Sequence, residues 1–237
     1  MGLIGTDPKS PIRVVMKAKI AEIFESIQGE GLYAGQKQVF IRFFGCNLSC
    51  VFCDTHLSGF KDYSIQELKD VLAGYSGYHS LSLTGGEPLC QADFLWDFLN
   101  GYEDKPIVYL ETNGTLTDEL SRIIDHVDII AMDFKLPSSS QARAFWKEHE
   151  DFLKIALSKK VFVKIVITKA SDSQEIRVAG DIIKRVKTDM DVVLQPHWFD
   201  IDSALLTKMG PFKEELISSG IPRVRILPQA HKYAGIR

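Results

Sequence analysis

Cysteine is scarce in this chain: there are four in 237 residues, and three of them fall between positions 46 and 53. That excludes a disulfide scaffold, since such folds are short, secreted and cysteine-dense. No uninterrupted apolar run approaches the roughly 18 residues of a membrane span, so no membrane association is expected. The first residues carry no basic stretch followed by an apolar core, so no secretory signal is expected either, and the reading is a cytoplasmic protein. A large charge excess is also missing. Lysine and arginine total 28 and aspartate and glutamate 31, a formal −3, which argues against a nucleic-acid partner. Repeats and low-complexity tracts are absent. Disorder is excluded too, because 45% hydrophobic residues is more than a disordered chain carries.

The chain does contain β-rich runs alternating with helical ones. The strand-like runs are 39–44, 80–83, 107–111, 127–132, 161–168, 192–195 and 223–227, and an earlier run, 19–24, suits an edge. Ser64-Ile65-Gln66-Glu67 is a capping box opening a helix whose apolar positions Ile65, Leu68, Val71 and Leu72 share one face. Further helices are expected over 92–99, 118–125, 141–157, 173–187 and 203–219. Such alternation implies parallel strands with right-handed crossovers. The strands are fewer than the eight of a closed barrel. The expected fold is therefore α/β, a partial, open β/α barrel of about six parallel strands. Residues 1–17 read as an N-terminal extension and 18–237 as a single domain.

In this fold class, chemistry gathers beyond the carboxyl ends of the strands. The unusual polar runs stand there. Cys46, Cys50 and Cys53 form C-x3-C-x2-C after the first run, followed by Asp54-Thr55. Thr84-Gly85-Gly86-Glu87-Pro88 follows the second, Glu111-Thr112-Asn113-Gly114-Thr115 the third, Asp133-Phe134-Lys135 the fourth and Gln195-Pro196-His197-Trp198 the sixth. The cysteine loop suits one face of a metal centre. A Cys3His zinc site with His56 is one reading. An iron–sulfur cluster is the other and ranks higher, because the second C-x2-C pair usual in structural zinc loops is missing. A disulfide ranks last. Cys90 is expected to be a small buried hydrophobe.

C-x3-C-x2-C with an aromatic, Phe52, before its last cysteine resembles the radical S-adenosylmethionine (SAM) superfamily. Gly85-Gly86-Glu87-Pro88 resembles the second motif of that superfamily. Four further runs narrow the likeness: Ile27-Gln28-Gly29-Glu30-Gly31, Arg42 before Gly45-Cys46, Cys53-Asp54-Thr55, and Gln229-Ala230-His231-Lys232. Together they resemble the 7-carboxy-7-deazaguanine synthase family from about residue 20 onward.

The resemblance implies a radical SAM type of partial barrel. It implies conversion of 6-carboxy-5,6,7,8-tetrahydropterin to 7-carboxy-7-deazaguanine with loss of ammonia, through a 5′-deoxyadenosyl radical. It implies a 4Fe-4S cluster on Cys46, Cys50 and Cys53, and SAM held by Gly86, Glu87, Asp133, Lys135 and Gln195, with Glu87 taking the SAM ammonium. Mg²⁺ is implied on Thr55. The substrate contacts implied are Ile27, Gln28, Gly29, Glu30, Arg42, Thr84, His231 and the terminal Arg237. Partners implied are the pterin, an electron donor such as flavodoxin or ferredoxin, and a second copy in a homodimer. No residue is assigned as an acid or base. The family's Ser-Pro-Lys is here Asp133-Phe134-Lys135, which puts the SAM contacts at that strand end in question. The Asp-x-Lys pattern also keeps a radical SAM activase as the second reading, with a non-catalytic zinc-loop module as the third.

Overall fold

The computed structural model describes residues 16–55, 57–102 and 104–236. The described residues open on β1 (Lys17–Ile27), which begins inside the stretch read as the extension and pairs antiparallel with β2 (Lys37–Phe43). A short edge strand, β3 (Lys61–Ser64), pairs antiparallel with the other side of β1. Beyond these the chain alternates as its periodicity dictates: α1 (Ile65–Leu72), β4 (Ser80–Gly85), α2 (Ala92–Asn100), β5 (Ile107–Thr112), α3 (Thr117–Ile123), β6 (Ile129–Asp133), α4 (Pro137–Ser140), α5 (Trp146–Ala156), β7 (Lys160–Ile167), α6 (Ser173–Val186), β8 (Asp191–Pro196), α7 (Ser203–Ser218), β9 (Arg223–Ile226) and α8 (Ala230–Ala234).

The sheet runs β3-β1-β2-β4-β5-β6-β7-β8-β9. From β2 to β9 every pairing is parallel. That makes seven parallel strands among the described residues, one for each run read from 39–44 to 223–227, in a barrel expected to hold about six. β3 and β9 stand at opposite ends, so the barrel is open.

Alternation along each strand divides the interior in two. Val39, Ile41 and Phe43 of β2, Leu81 and Leu83 of β4, and Ile165 and Ile167 of β7 face the helix layer and form the main core. On the other face, Tyr109, Ile129, Ala131, Phe162 and Val193 form a smaller core, with Leu32 and Tyr33 packed against it. Those two residues belong to the turn at Gly31–Tyr33. Gly31 has a φ of +63°, and a Cβ there would overlap the Phe162 ring. The glycine is what lets the turn sink into the barrel and plug it.

Helix ends follow local chemistry. Ser64 and Glu67 form the expected reciprocal cap, with Ser64 N donating to Glu67 at 2.8 Å. Asp172 and Asp202 cap α6 and α7. The helix expected over 141–157 begins only at Trp146, because Gln141 takes a left-handed conformation (φ 55°) that ends the short α4 before it. Among the described residues no helix is long and apolar enough to cross a membrane.

Candidate active site

The inward residues nearest the carboxyl ends of the parallel strands line one cavity of about 700 Å³. Arg42 of β2, Thr84 of β4, Glu111 of β5, Asp133 of β6, Lys164 of β7 and Gln195 of β8 all reach it, as do Cys46, Cys50, Cys53, Thr55, Gly86 and Lys135. The runs scattered through the sequence therefore converge on one place.

The cysteine loop is fixed from three sides. Gly86 N donates to Phe43 O at 3.0 Å and Glu87 N to Gly45 O at 2.9 Å. A Cβ on Gly86 would overlap the Gly45 carbonyl oxygen, so only glycine lets the turn after β4 press so close. Val51 N donates to Ser140 O at 3.2 Å, tying the loop to α4. Asn113 Nδ2 donates to Asn47 Oδ1 at 2.8 Å, tying it to the loop after β5. Cys46, Cys50 and Cys53 are free thiols. Burial pushes the Cys46 and Cys50 thiols up, so thiolates there need the positive charge of a bound metal centre. Three such thiols on one loop suit a multi-iron cluster, in which each thiolate binds its own iron.

On the flank beside this loop, Lys135 Nζ lies 2.8 Å from Asp133 Oδ2 and 4.9 Å from the centre of the Phe52 ring. Asp133 Oδ1 and Gln195 Oε1 are buried in the cavity wall without a hydrogen-bond partner. Two orphaned acceptors in the wall of this cavity fit a polar ligand such as SAM. Glu87 is held from within the fold. It is wholly buried, and its carboxylate accepts from Leu89 N at 3.1 Å, Thr112 Oγ1 at 2.9 Å and Asn113 N at 2.8 Å. Those bonds lock the turn after β4 to the loop after β5, so Glu87 acts as an internal clamp.

The opposite flank carries Ile27, Gln28, Gly29 and Glu30. Gln28 Nε2 donates to Gln38 Oε1 at 3.0 Å and to Glu111 Oε1 at 2.8 Å. The other oxygen of Glu111 accepts from Thr84 Oγ1 at 2.7 Å. Glu30 accepts from Lys164 at 2.6 Å, Gln229 at 2.7 Å and Gln195 at 3.2 Å. Burial pushes the Glu30 carboxyl up, but Lys164 and the two amides outweigh it and bring it down to about 2. Arg42 lies over the Phe24 ring and meets Glu22 through Nε at 3.0 Å.

The C-terminal helix α8 closes this flank. Ala230 N donates to Gly29 O at 2.8 Å, and a Cβ on Gly29 would overlap the His231 ring. Gln229 Nε2 also reaches Asp54 at 3.1 Å, and Lys232 reaches it at 3.3 Å. Arg237 and His56 lie outside the described residues. Cys90 is exposed rather than buried, because the short 3-10 turn at Pro88–Gln91 buries Pro88 and Leu89 instead. Sequence reading missed Lys164, and it quoted Gln229 and Glu111 within their runs without giving either a role. A charged residue inside an apolar strand run, such as Lys164 in KVFVKIVI, is the signal that marks such positions.

Parallel strands, a three-cysteine loop after the first of them and a glycine turn pressed against that loop define an open-barrel enzyme of the radical SAM class. The family model described as Radical SAM superfamily matches residues 40–169. A 7-carboxy-7-deazaguanine synthase from Geobacter sulfurreducens is 37% identical over 92% of this chain and 97% of its own length. Another, from Methanospirillum hungatei, is 41% identical over 98% and 92%, and one from Archaeoglobus fulgidus is 33% identical over 94% and 100%. QueE from Escherichia coli shares the fold with a TM-score of 0.57 at 21% identity, covering 91% of this chain and 95% of that one. The chain belongs to the 7-carboxy-7-deazaguanine synthase family of the radical SAM superfamily. It is a radical SAM enzyme, and its cofactors are a 4Fe-4S cluster and SAM.

Proposed function

We propose that this enzyme converts 6-carboxy-5,6,7,8-tetrahydropterin to 7-carboxy-7-deazaguanine with release of ammonia. The observation that carries the reading is the pairing of two flanks in one cavity: the three-thiol loop on one side, and Gln28, Glu30 and Glu111 on the other. Carboxylates and amides held rigid in this way match the N–H and C=O groups along the edge of a flat pterin.

Cys46, Cys50 and Cys53 would hold the cluster, and Gly86, Asp133, Lys135 and Gln195 would hold SAM. When bound, these cofactors supply radical chemistry that begins by taking a hydrogen atom from the substrate. The chain's own residues bind, orient and exclude water. Arg42 offers its guanidinium to the substrate carboxylate. Thr84, anchored on Glu111, stands between the two flanks. Gln28 and Glu30 hold the ring edge, and the backbone of Ile27 and Gly29 completes the cradle. His231 closes the pocket on the α8 side. Thr55 offers a hydroxyl to Mg²⁺, which would take its remaining ligands from substrate and water. The reductant would be a small electron carrier such as flavodoxin or ferredoxin, the enzyme a homodimer, and its place the cytoplasm, where an oxygen-sensitive cluster is kept reduced.

The test is anaerobic reconstitution with iron and sulfide, then incubation with SAM, a reductant and carboxytetrahydropterin. The expected product is the 7-deazapurine. Formation of 5′-deoxyadenosine without any deazapurine would overturn the substrate assignment.

A further inference from the structure

Lys164 carries a buried charge that none of the roles above uses. It stands mid-sheet on β7, level with Asp133 of β6 and Val193 of β8. Its side chain is 14% exposed, with Nζ 2.6 Å from Glu30 Oε2 and 3.6 Å from Asp133 Oδ2. Asp133 in turn meets Lys135 at 2.8 Å. Glu30, Lys164, Asp133 and Lys135 therefore form one line of alternating charge across the cavity. One end is the flank assigned to the pterin, and the other lies over Phe52 beside the cysteine loop.

The charges explain why the line needs Lys164. Glu30, Asp133 and Glu111 all face it. Without it, the partners left to Glu30 among the described residues are the amides of Gln195 and Gln229, and the Asp54 carboxylate that Gln229 also holds adds a like charge. A desolvated carboxyl with neutral partners alone favours its protonated form. A protonated Glu30 would set an O–H against the N–H groups of a pterin edge, donor against donor. Asp133 adds a second reason. It stands where the family pattern expects a neutral serine, so this chain has one more buried carboxylate to balance.

We propose that Lys164 is a positioning residue: it holds Glu30 as an acceptor for the N–H edge of the pterin and joins that subsite to Asp133 on the SAM side. This rests on the pterin reading given above. Lys164 touches no reacting atom. It acts through Glu30, so its effect should vanish when Glu30 has no charge to hold.

The experiment uses the anaerobically reconstituted enzyme and its Glu30→Gln, Lys164→Met, Lys164→Arg and Glu30→Gln/Lys164→Met variants. The Kd of 6-carboxypterin, an oxidised and stable probe, is measured by fluorescence titration from pH 5.5 to 7, where the pterin ring keeps its N–H proton. The kcat and KM for carboxytetrahydropterin are measured alongside. Lys164→Met is expected to weaken the probe by roughly 10- to 100-fold at the acid end and to recover as pH rises and Glu30 ionises unaided, while wild type stays flat. Lys164→Arg should stay within about threefold of wild type, and the double variant should be no weaker than Glu30→Gln alone. The double variant leaves no unpaired carboxylate at position 30, so it reads the coupling even if Lys164→Met folds poorly. The inference is overturned if Lys164→Met binds as wild type does, if its loss is the same at every pH, or if the double variant shows the full product of the single losses. Absence of wild-type turnover sinks the substrate reading and this inference with it. Wild-type turnover with an unaffected Lys164→Met sinks this inference alone.

Discussion

The buried ring of His149 sets Nε2 3.2 Å from the carbonyl oxygen of Asn113, while its Nδ1 has no hydrogen-bond partner. This is the geometry of a neutral imidazole that donates from Nε2 and leaves Nδ1 bare. The Phe134 ring, 4.2 Å away between centroids, fills the space beside it. Asn113 in turn holds Asn47, next to Cys46. A core histidine of α5 thus props the loop that steadies the cysteines.

Burial lowers the His149 pKa from its ordinary 6.5 to about 4. The unfolded chain therefore takes up a proton below pH 6.5 that the folded chain refuses until about pH 4. Stability is full above 6.5, falls across that window and levels off below it. The gap corresponds to about 3 kcal/mol at 1.36 kcal/mol per pKa unit. Urea titrations at several pH values should show the decline, and His149→Gln, which does not titrate, should flatten it. An unchanged slope in that variant would assign the decline to other groups.

Glu87 is the clamp between the turn after β4 and the loop after β5. Burial pushes its carboxyl up to about 7, in spite of the backbone donors at Asn113 and Leu89 and the Thr112 hydroxyl. Both carboxylate oxygens accept hydrogen bonds. Glu87→Gln puts an NH₂ group against a donor whichever way the amide turns. A buried donor left unmatched costs about 1–3 kcal/mol. The expected result is a lower unfolding midpoint and reduced iron uptake on reconstitution. A variant as stable as wild type, with full iron content, would count against the clamp.

Gly86→Ala tests the close approach of the β4 turn to the cysteine loop. The added Cβ meets the Gly45 carbonyl, which is backbone and cannot swing away. The loop must therefore move. Iron content after reconstitution is expected to fall severalfold, with far-ultraviolet circular dichroism unchanged because the strands themselves are untouched. Full iron incorporation would show that the loop tolerates the shift.

The strand–helix order was legible because each parallel strand is a β-rich run and each helix repeats its apolar residues along one face. The convergence of the motifs was legible for the same reason: each follows a strand, and parallel strands share one carboxyl end. Long-range pairing was not. Nothing local in Lys61–Ser64 marks it as a strand, because it exists by pairing with β1. Helix α8 is five residues long, and its docking depends on Gly29 and Glu30, about two hundred positions away. The clamp formed by Glu87 was not legible because its partners, Thr112 and Asn113, come from another loop. Cys90 was misread because hydrophobic neighbours in sequence, Pro88 and Leu89, took the buried places.

Arg42 is the residue on which substrate binding and cofactor chemistry separate most cleanly. It lines the cavity on β2, level with Thr84 of β4. It is held from behind by Glu22 and stacked on Phe24, and none of these contacts involves the cysteine loop. Arg42→Ala is therefore expected to keep the cluster absorbance and to keep uncoupled formation of 5′-deoxyadenosine. It should lose a charge-assisted contact to the pterin carboxylate, worth about 1.5–3 kcal/mol, or roughly 10- to 100-fold in KM. Arg42→Lys should recover only part of this, because a lysine lacks the planar fork that meets a carboxylate with two bonds. Glu22→Gln serves as the internal control. Removing the competing carboxylate frees the guanidinium, so KM should stay level or fall. If Arg42→Ala loses cluster colour instead, the arginine is a structural member of the β1–β2 pair and the carboxylate contact lies elsewhere in the cavity.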